Sequence, residues 1–148
     1  MSFDHRAPYE AIGGEDVLRR LTDVFYDRMQ ELSPAVAQMH ETDAQGRVSE
    51  RARRDFWRFL CFWSGGPTDY VQEKGPPRLP IRHGHLPIDE AARDGWLVAM
   101  NAALDEVIED EEVRELLRAR FTGIASFLKT AVTQAQRQGS PSVDPKLD

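Results

Sequence analysis

Four segments of the chain carry apolar residues at the three- and four-residue spacing of an amphipathic helix. The first segment begins at Gly14, and its acidic start suits the positive end of the helix dipole. Pro34 ends or reshapes this helix because proline cannot continue the hydrogen-bond ladder. One face of the segment is apolar and is formed by Leu18, Leu21, Phe25, Met29 and Leu32.

The second segment carries the strongest apolar stripe in the chain. Phe56, Phe59, Leu60 and Trp63 occupy positions i, i+3, i+4 and i+7. The sequence SGGP, residues 64–67, follows directly and predicts the end of this helix. The basic cluster RVSERARRDFWR, residues 47–58, overlaps the same segment, and we interpret its arginines as a solvated helix face.

The third segment follows Asp89, which is a suitable N-cap residue. Its inner face is formed by Trp96, Met100, Leu104 and Val107. The acidic sequence EDEE, residues 109–112, predicts a turn and the start of a fourth helix that continues to about residue 136. Its apolar face is formed by Val113, Leu117, Phe121, Ile124, Leu128 and Val132. No segment alternates with period two for long, so we predict an all-α fold without a sheet.

A long irregular stretch, residues 65–88, separates the second and third helices. It contains five prolines, and such a long loop in a small domain is usually either functional or disordered. The apolar residues Leu79, Ile81, Leu86 and Ile88 argue against disorder. We therefore expect the fold to order this loop, within a single domain of residues 1–138 followed by a flexible tail, residues 139–148.

Composition limits the class of protein further. The formal net charge of −6 over 148 residues argues against general nucleic-acid binding. No apolar run is long enough to span a membrane, and the first residues do not resemble a secretory signal. Cys61 is the only cysteine, so a disulfide within one chain is excluded. We expect a cytoplasmic protein in which Cys61 is a buried thiol rather than a nucleophile.

Two of the four histidines, His83 and His85, lie in the segment RLPIRHGHLPI, residues 78–88. Three interpretations of this segment are open. The loop can simply pack on the core. The histidines can join His5 or His40 in a zinc site, although structural zinc prefers more cysteines than this chain has.

The third interpretation is that a single imidazole from the loop is the axial ligand of a haem iron. A haem also needs an apolar slot for its ring and cations or hydroxyls for its propionates. The stripe of Phe56, Phe59 and Trp63 offers the slot, and Arg78, Arg82 and Tyr70 flank the loop. Because aromatic stripes are usually plain core, these residues alone leave the three interpretations open.

An ordered set of short motifs resembles the truncated haemoglobins, and most closely their group II. The motifs are FY at 25–26, FL at 59–60, GGPTDY at 65–70, RLPIRHGHLPI at 78–88 and RDGWL at 93–97, and the resemblance covers residues 9 to about 130. It implies that His83 is the proximal iron ligand, and Trp96, at the spacing expected after it, is the mark of group II. The implied fold is a shortened globin in which two helix pairs cross around a haem.

The same resemblance implies two sets of site residues. The residues that hold the haem would be His83, Phe59, Leu60, Tyr70, Arg78, Leu79, Arg82, Ile88 and Trp96. The residues around the bound ligand would be Tyr26, His40, Ala52, Phe56 and Trp96. Tyr26 and Trp96 would donate hydrogen bonds to the ligand, His40 would be a third polar group, and Ala52 would leave the ligand entry open.

Three residues depart from the family pattern. His85 occupies a position where proline or a small residue is common, and Pro76 replaces a common histidine. Phe56 adds bulk beside the ligand, where an aliphatic or amide residue is more usual. The first two changes affect the loop at the haem edge, and the third crowds the ligand.

The resemblance implies a haem b protein that binds or transports O₂, and also binds NO and CO. Its iron would be pentacoordinate or weakly hexacoordinate, with His40 or His85 as the open choices for a sixth ligand. Several polar donors predict tight retention, which suits sensing, scavenging or redox chemistry better than delivery. The alternatives are a haem enzyme, such as a NO dioxygenase or peroxidase served by a reductase, and a haem-free interaction module. We expect a monomer or homodimer with no nucleic-acid or membrane partner.

Overall fold

The computed structural model describes residues 3–68, Gln72 and 89–137, with side chains described as far as residue 126. Within these ranges the helices are α1 (Tyr9–Ile12), α2 (Gly14–Leu32), α3 (Pro34–Ala37), α4 (Glu50–Trp63), α5 (Glu90–Val107) and α6 (Glu111–Arg137). The described residues form no strand, and their one β-bridge pairs Thr42 with Val48. The all-α prediction is confirmed, and the short helices α1 and α3 are additions to it.

Helix α2 begins and ends where the sequence predicted. Gly13 has a φ of 119°, which favours glycine, and a Cβ there would lie 2.5 Å from the side chain of Val17. At the other end, the Ser33 amide donates to the Met29 carbonyl at 2.8 Å before Pro34 starts α3. The predicted apolar face is buried except for Leu32, which is 53% exposed. Leu32 is the last residue of α2, and at this end of the helix the neighbouring Ser33 is buried instead.

Helix α4 has a capping serine at its start and a glycine-rich turn at its end. The Ser49 hydroxyl accepts a hydrogen bond from the Ala52 amide at 3.1 Å and caps the first turn. The predicted end at SGGP is confirmed, since the helix ends at Trp63 and Gly65 takes a φ of 98°. Cys61 is buried on this helix, as predicted.

Carboxylate caps start the last two helices. The Asp89 side chain accepts from the Ala92 amide at 2.8 Å, which confirms the predicted N-cap of α5. The Asp110 side chain accepts from the Val113 amide at 3.1 Å at the start of α6. Helix α6 ends at Arg137, one residue beyond the prediction.

The helices form two packed pairs around a common core. Helix α2 packs against α4 and also, most extensively, against α5, while α5 packs against α6. The largest fully buried side chains come from all four of these helices and include Phe25, Leu60, Met100, Leu104 and Phe121. Helix α2 therefore joins the two pairs, and its side chains reach both.

One prediction about α4 is wrong for a single residue. Arg53 belongs to the basic cluster that we interpreted as a solvated face, yet it is only 6% exposed. It is buried because polar groups of α2 and the carbonyl of Val48 surround its guanidinium. Arg51 and Arg54 are exposed, as predicted.

Two further expectations concern the chain as a whole. Most of the predicted long loop, at 69–71 and 73–88, lies outside the described residues, and so does the predicted tail at 139–148. Among the helices that the structure describes, none is both long and apolar enough to cross a bilayer.

Candidate functional site

Aromatic side chains from three helices meet in one cluster, which we call the ring cluster: Phe25 and Tyr26 of α2, Phe56 of α4 and Trp96 of α5. The centroid of the Phe25 ring lies 5.4 Å from that of Phe56 and 5.1 Å from that of Trp96. The Phe56 and Trp96 rings meet edge to face at 6.5 Å. Three of the residues predicted to surround the ligand therefore share one site, where α2 reaches both α4 and α5.

Tyr26 is the most deeply buried polar residue of this cluster. It is 4% exposed, and its ring lies 5.8 Å from that of Phe56. Burial raises the pKa of the phenol far above its ordinary value, while the nearby Arg53 lowers it and Asp55 raises it. Burial is the largest of these three effects. The phenol therefore keeps its proton at physiological pH and has an O–H available to donate.

His40 joins the cluster beside Tyr26, with the two ring centroids 5.3 Å apart in an edge-to-face arrangement. Its Nδ1 lies 3.0 Å from the carbonyl oxygen of Val36 in α3. A carbonyl only accepts, so we assign the proton of the neutral ring to Nδ1. Nε2 then carries a lone pair. His40 is thus a polar residue beside Tyr26, where the sequence predicted one.

The residues of α4 form one wall of the site. Phe56 and Phe59 stack with centroids 6.3 Å apart and planes 20° from parallel. Ala52 is partly buried one turn before Phe56, and Leu60 is fully buried in the core. Trp63, which the sequence also offered for an apolar slot, stacks instead on Phe121 of α6 at 4.9 Å.

Trp96 is held from several sides. Its ring meets Phe25 on one side and Phe121, at 5.9 Å, on another. The preceding residue, Gly95, lies so close to α3 that a Cβ there would be 2.9 Å from the Val36 side chain. The Ser33 hydroxyl donates to the Gly95 carbonyl at 2.7 Å. The close approach of α3 thus fixes the part of α5 that carries the indole.

Several predicted site residues lie outside the described residues. The proposed iron ligand His83 is among them, together with Tyr70, Arg78, Leu79, Arg82 and Ile88, and so are the departures Pro76 and His85. The described residues contain no group of three or more histidine, cysteine or acidic side chains that could hold a metal ion. A zinc site built wholly from them is therefore absent.

Sequence reasoning missed Arg53, which lies beside Tyr26. Its guanidinium carbon is 5.8 Å from the centroid of the Tyr26 ring. A signal was present, since Arg53 precedes Phe56 by three residues and Leu60 by seven, the spacing of the buried stripe. A charged residue in phase with an apolar face indicates either an end of the stripe or a buried, paired charge.

Comparison with known proteins identifies the family. The bacterial-like globin family model matches residues 7–133. The group 2 truncated haemoglobin YjbI of Bacillus subtilis is 38% identical over 121 residues, covering 82% of this chain and 86% of that protein. A two-on-two haemoglobin of Arabidopsis thaliana is 29% identical over 60% of this chain and 51% of its own length.

Solved structures agree with this result. A cold-adapted truncated haemoglobin from Pseudoalteromonas haloplanktis TAC125 superposes with a TM-score of 0.76 and 35% identity, over 82% of this chain and 96% of that one. A group II 2-on-2 haemoglobin from Agrobacterium tumefaciens gives 0.75 and 35%, over 86% and 97% of the two chains. A truncated oxygen-avid haemoglobin from Bacillus subtilis gives 0.73 and 36%, over 82% and 98%.

The protein therefore has the two-over-two globin fold, with α2 and α4 as one helix pair and α5 and α6 as the other. The chain belongs to the bacterial-like globin family and, within it, to the group II truncated haemoglobins. This family implies a haem cofactor and haem-based ligand binding. The described residues fit a haem, because the ring cluster offers apolar surface for a porphyrin and contains one buried phenol that can donate to a ligand.

Proposed function

We propose that the protein binds O₂, and also NO and CO, at the iron of a haem b held by His83, and that Tyr26 and Trp96 stabilise the ligand. The observation that carries this proposal is the buried Tyr26 phenol, which lies among the rings of Phe25, Phe56 and His40. A phenol that keeps its proton can donate its O–H to a bound diatomic ligand.

A bound haem would supply an iron at which a diatomic ligand could bind and carry partial negative charge. Tyr26 can donate a hydrogen bond to such a ligand, because burial keeps its phenol protonated. A hydrogen bond in a site from which rings exclude water is worth more than the same bond in water. Phe25 and Phe56 supply that exclusion, since both rings lie within 6 Å of the Tyr26 ring.

Trp96 is the second donor in this proposal. An indole N–H can only donate, so Trp96 cannot offer an acceptor that would repel the charged ligand. Contacts with Phe25 and Phe121 restrict the ring to one orientation. His40, whose neutral form presents a lone pair, contributes by polarity beside Tyr26 and not as a third donor.

The other residues proposed to contact the haem are predictions from the sequence. We propose that Phe59, Leu60, Leu79 and Ile88 contact the porphyrin ring, and that Tyr70, Arg78 and Arg82 bind its propionates. Arg82, next to His83 in the chain, disfavours protonation of that imidazole and so helps to keep it a ligand. We also propose that Ala52, a small residue on α4, leaves the ligand entry open.

Two donors in a dry pocket predict slow release of O₂. The Bacillus subtilis relative described as oxygen-avid supports this proposal. Slow release suits sensing, scavenging or chemistry on O₂, NO or peroxide in the cytoplasm better than delivery. Turnover of NO or peroxide with a reductant present would place the protein among haem enzymes with a reductase partner.

The test is haem uptake. Purified protein with added haemin should develop a Soret band and, after reduction, change its spectrum on exposure to CO. His83→Ala should lose this band, while the matched variant His85→Ala should keep it. Protein that takes up no haemin would overturn the proposal, and loss of the band in His85→Ala alone would move the iron ligand to His85.

A further inference from the structure

A buried cation lies beside the Tyr26 ring. The guanidinium carbon of Arg53 is 5.8 Å from the ring centroid, and the Arg53 side chain is 7% exposed. A guanidinium over a phenol face is attracted to the ring's negative quadrupole, and more strongly when both are desolvated. Arg53 thus contacts the side chain that donates to the ligand, yet it belongs to α4 and not to the helix that carries Tyr26.

All three nitrogens of this guanidinium donate hydrogen bonds. Nε donates to the Val48 carbonyl at 2.9 Å, and Nη2 donates to Oδ1 of Asp27 at 2.9 Å. Nη1 lies 3.3 Å from both the carbonyl oxygen and Oδ1 of Asp23, and Nη2 lies 3.4 Å from Oε1 of Gln30. These hydrogen bonds hold the guanidinium in one orientation, and its removal would take the donor from the carbonyl of the buried residue Val48.

The partners of Arg53 surround Tyr26 on α2. Asp23 precedes Tyr26 by three residues, Asp27 follows it directly, and Gln30 follows it by four. Asp23 lies one turn before the phenol and Gln30 one turn after it, and Asp27 lies beside it, so the three partners form one stripe of α2 next to Tyr26. Arg53 therefore binds the stretch of α2 that sets the direction of the Tyr26 side chain, in addition to contacting its ring.

We propose that Arg53 is a positioning residue for Tyr26, holding the phenol ring from the α4 side so that its O–H points toward the ligand. This inference rests on the proposed function of Tyr26 as ligand donor. It predicts that Arg53 changes ligand binding only through Tyr26. If Arg53 only connected α4 to α2, its replacement would alter the stability of the protein without a specific effect on the Tyr26 phenol.

The first experiment is a double-mutant cycle on the ferrous protein. The O₂ dissociation rate and the infrared C–O stretch of the CO complex are measured for wild type, Arg53→Met, Tyr26→Phe and the double variant. Arg53→Met should speed O₂ dissociation several-fold and move the C–O band toward that of Tyr26→Phe. In the Tyr26→Phe background, Arg53→Met should change neither quantity. Independent, additive effects would overturn the proposal.

The matched control is Arg19→Met. Arg19 also lies over an aromatic ring, 5.6 Å from that of Trp57, and also pairs with Asp23, but it does not contact Tyr26. Its replacement should leave the C–O band and the O₂ rate unchanged. A shift equal to that of Arg53→Met would show that loss of the Asp23 ion pair, and not of the ring contact, is responsible.

A second readout separates this inference from the proposed function. The chain has three tyrosines, so labelling tyrosine Cζ with ¹³C gives few signals, and Tyr26→Phe assigns the one of interest. In Arg53→Met that signal should shift or broaden, and an unchanged signal would overturn the inference. If Tyr26→Phe leaves O₂ binding unaltered, the donor role of Tyr26 fails, while this signal still decides whether Arg53 holds the ring.

Folding of the Arg53→Met variant needs its own provision, because the change removes the donor to the Val48 carbonyl and leaves Asp27 with its longer ion pair to Arg47, at 3.6 Å. If that variant does not fold, Arg53→Lys and Asp27→Asn replace it in the same cycle. Arg53→Lys keeps the charge but loses the planar guanidinium with its several N–H donors. Asp27→Asn keeps the guanidinium but replaces its ion pair with Asp27 by a weaker hydrogen bond. Each should give a smaller change in the same direction, again absent when Tyr26 is phenylalanine.

Discussion

The hydroxyl of Ser33 donates a hydrogen bond of 2.7 Å to the carbonyl of Gly95, and this bond joins the end of α2 to α5 one residue before Trp96. A hydrogen bond this short at position 95 depends on glycine, because a side chain there would be crowded. A Cβ at position 95 would lie 2.9 Å from the branched side chain of Val36 and 3.3 Å from Ser33. The position of the indole therefore also depends on the contact of the Val36 and Ser33 side chains with the Gly95 backbone, and not on packing of the indole alone.

Gly95→Ala should destabilise the protein even though alanine favours a helix more than glycine does. Overpacking against Val36 should cost about 1–3 kcal/mol, against a helix gain of about 1 kcal/mol. The measurement is the free energy of unfolding in urea. Gly123→Ala in α6 is the matched control, because a Cβ there meets nothing within 4 Å, and it should stabilise by roughly 0.5–1 kcal/mol. Equal effects of the two variants would contradict the close approach.

Trp96→Phe should speed O₂ dissociation. A hydrogen bond to a charged group contributes about 1.5–3 kcal/mol, which corresponds to roughly a ten- to hundredfold faster rate. Stopped-flow mixing of the O₂ complex with excess CO measures this rate. Trp57→Phe is the control, since the Trp57 indole also donates, to the Glu15 carbonyl at 2.8 Å, but lies outside the ring cluster. A rate unchanged by Trp96→Phe would rule out the donor role.

Tyr26 should make the protein less stable at alkaline pH. Burial raises the pKa of the phenol in the folded state above its ordinary value of 10.0. Above about pH 10 the unfolded chain releases this proton while the folded protein keeps it, so the free energy of unfolding falls as the pH rises. Below that pH the Tyr26 phenol is protonated in both states, so it does not make the free energy of unfolding depend on pH.

The measurement is the free energy of unfolding of wild type and Tyr26→Phe from pH 8 to pH 11. The wild type should lose roughly 1 kcal/mol relative to the variant between pH 9 and pH 11. Tyr9→Phe is the comparison and should track the wild type more closely, because Tyr9 is only partly buried and burial raises its pKa less than that of Tyr26. Parallel curves for wild type and Tyr26→Phe would show that the buried phenol ionises normally.

Phe56→Leu should enlarge the space beside the ligand. Phe56 contacts Phe25, Tyr26, Phe59 and Trp96, so its ring fills the centre of the ring cluster. We expect faster CO association by flash photolysis, with a stability cost of about 1–2 kcal/mol from the lost packing. Phe62→Leu, on the same helix and outside the cluster, should have a similar cost without the kinetic effect. Equal association rates in the two variants would show that Phe56 does not crowd the ligand.

The periodicity of the sequence predicted the four long helices and most of their ends, because Gly13, Pro34, SGGP and Asp89 act locally. The short helix α3 was not predictable, because four residues are too few to show the periodicity of an amphipathic helix. Yet α3 supplies the Val36 carbonyl that sets the His40 tautomer. The spacing of Arg53 indicated that it could be buried, but its partners could not be predicted, because most of its acceptors lie on α2, 23 to 30 residues away along the chain.

Site residues followed from the sequence only through resemblance to a family. Spacing alone could not distinguish Trp96, at the edge of the ring cluster, from Trp63, which stacks on Phe121. Both tryptophans lie on apolar helix faces, and only the packing of the helices separates them. The positions of His83 and the residues around it remain sequence predictions that haem uptake tests.

The edge contact between Trp96 and Phe121, with Trp63 stacked behind it, gives the pocket a remote adjustment. A substitution in α6 that moves Phe121 should therefore also move the indole. Under the donor role proposed for Trp96, such a substitution would change how long a ligand stays bound without replacing any group that touches it.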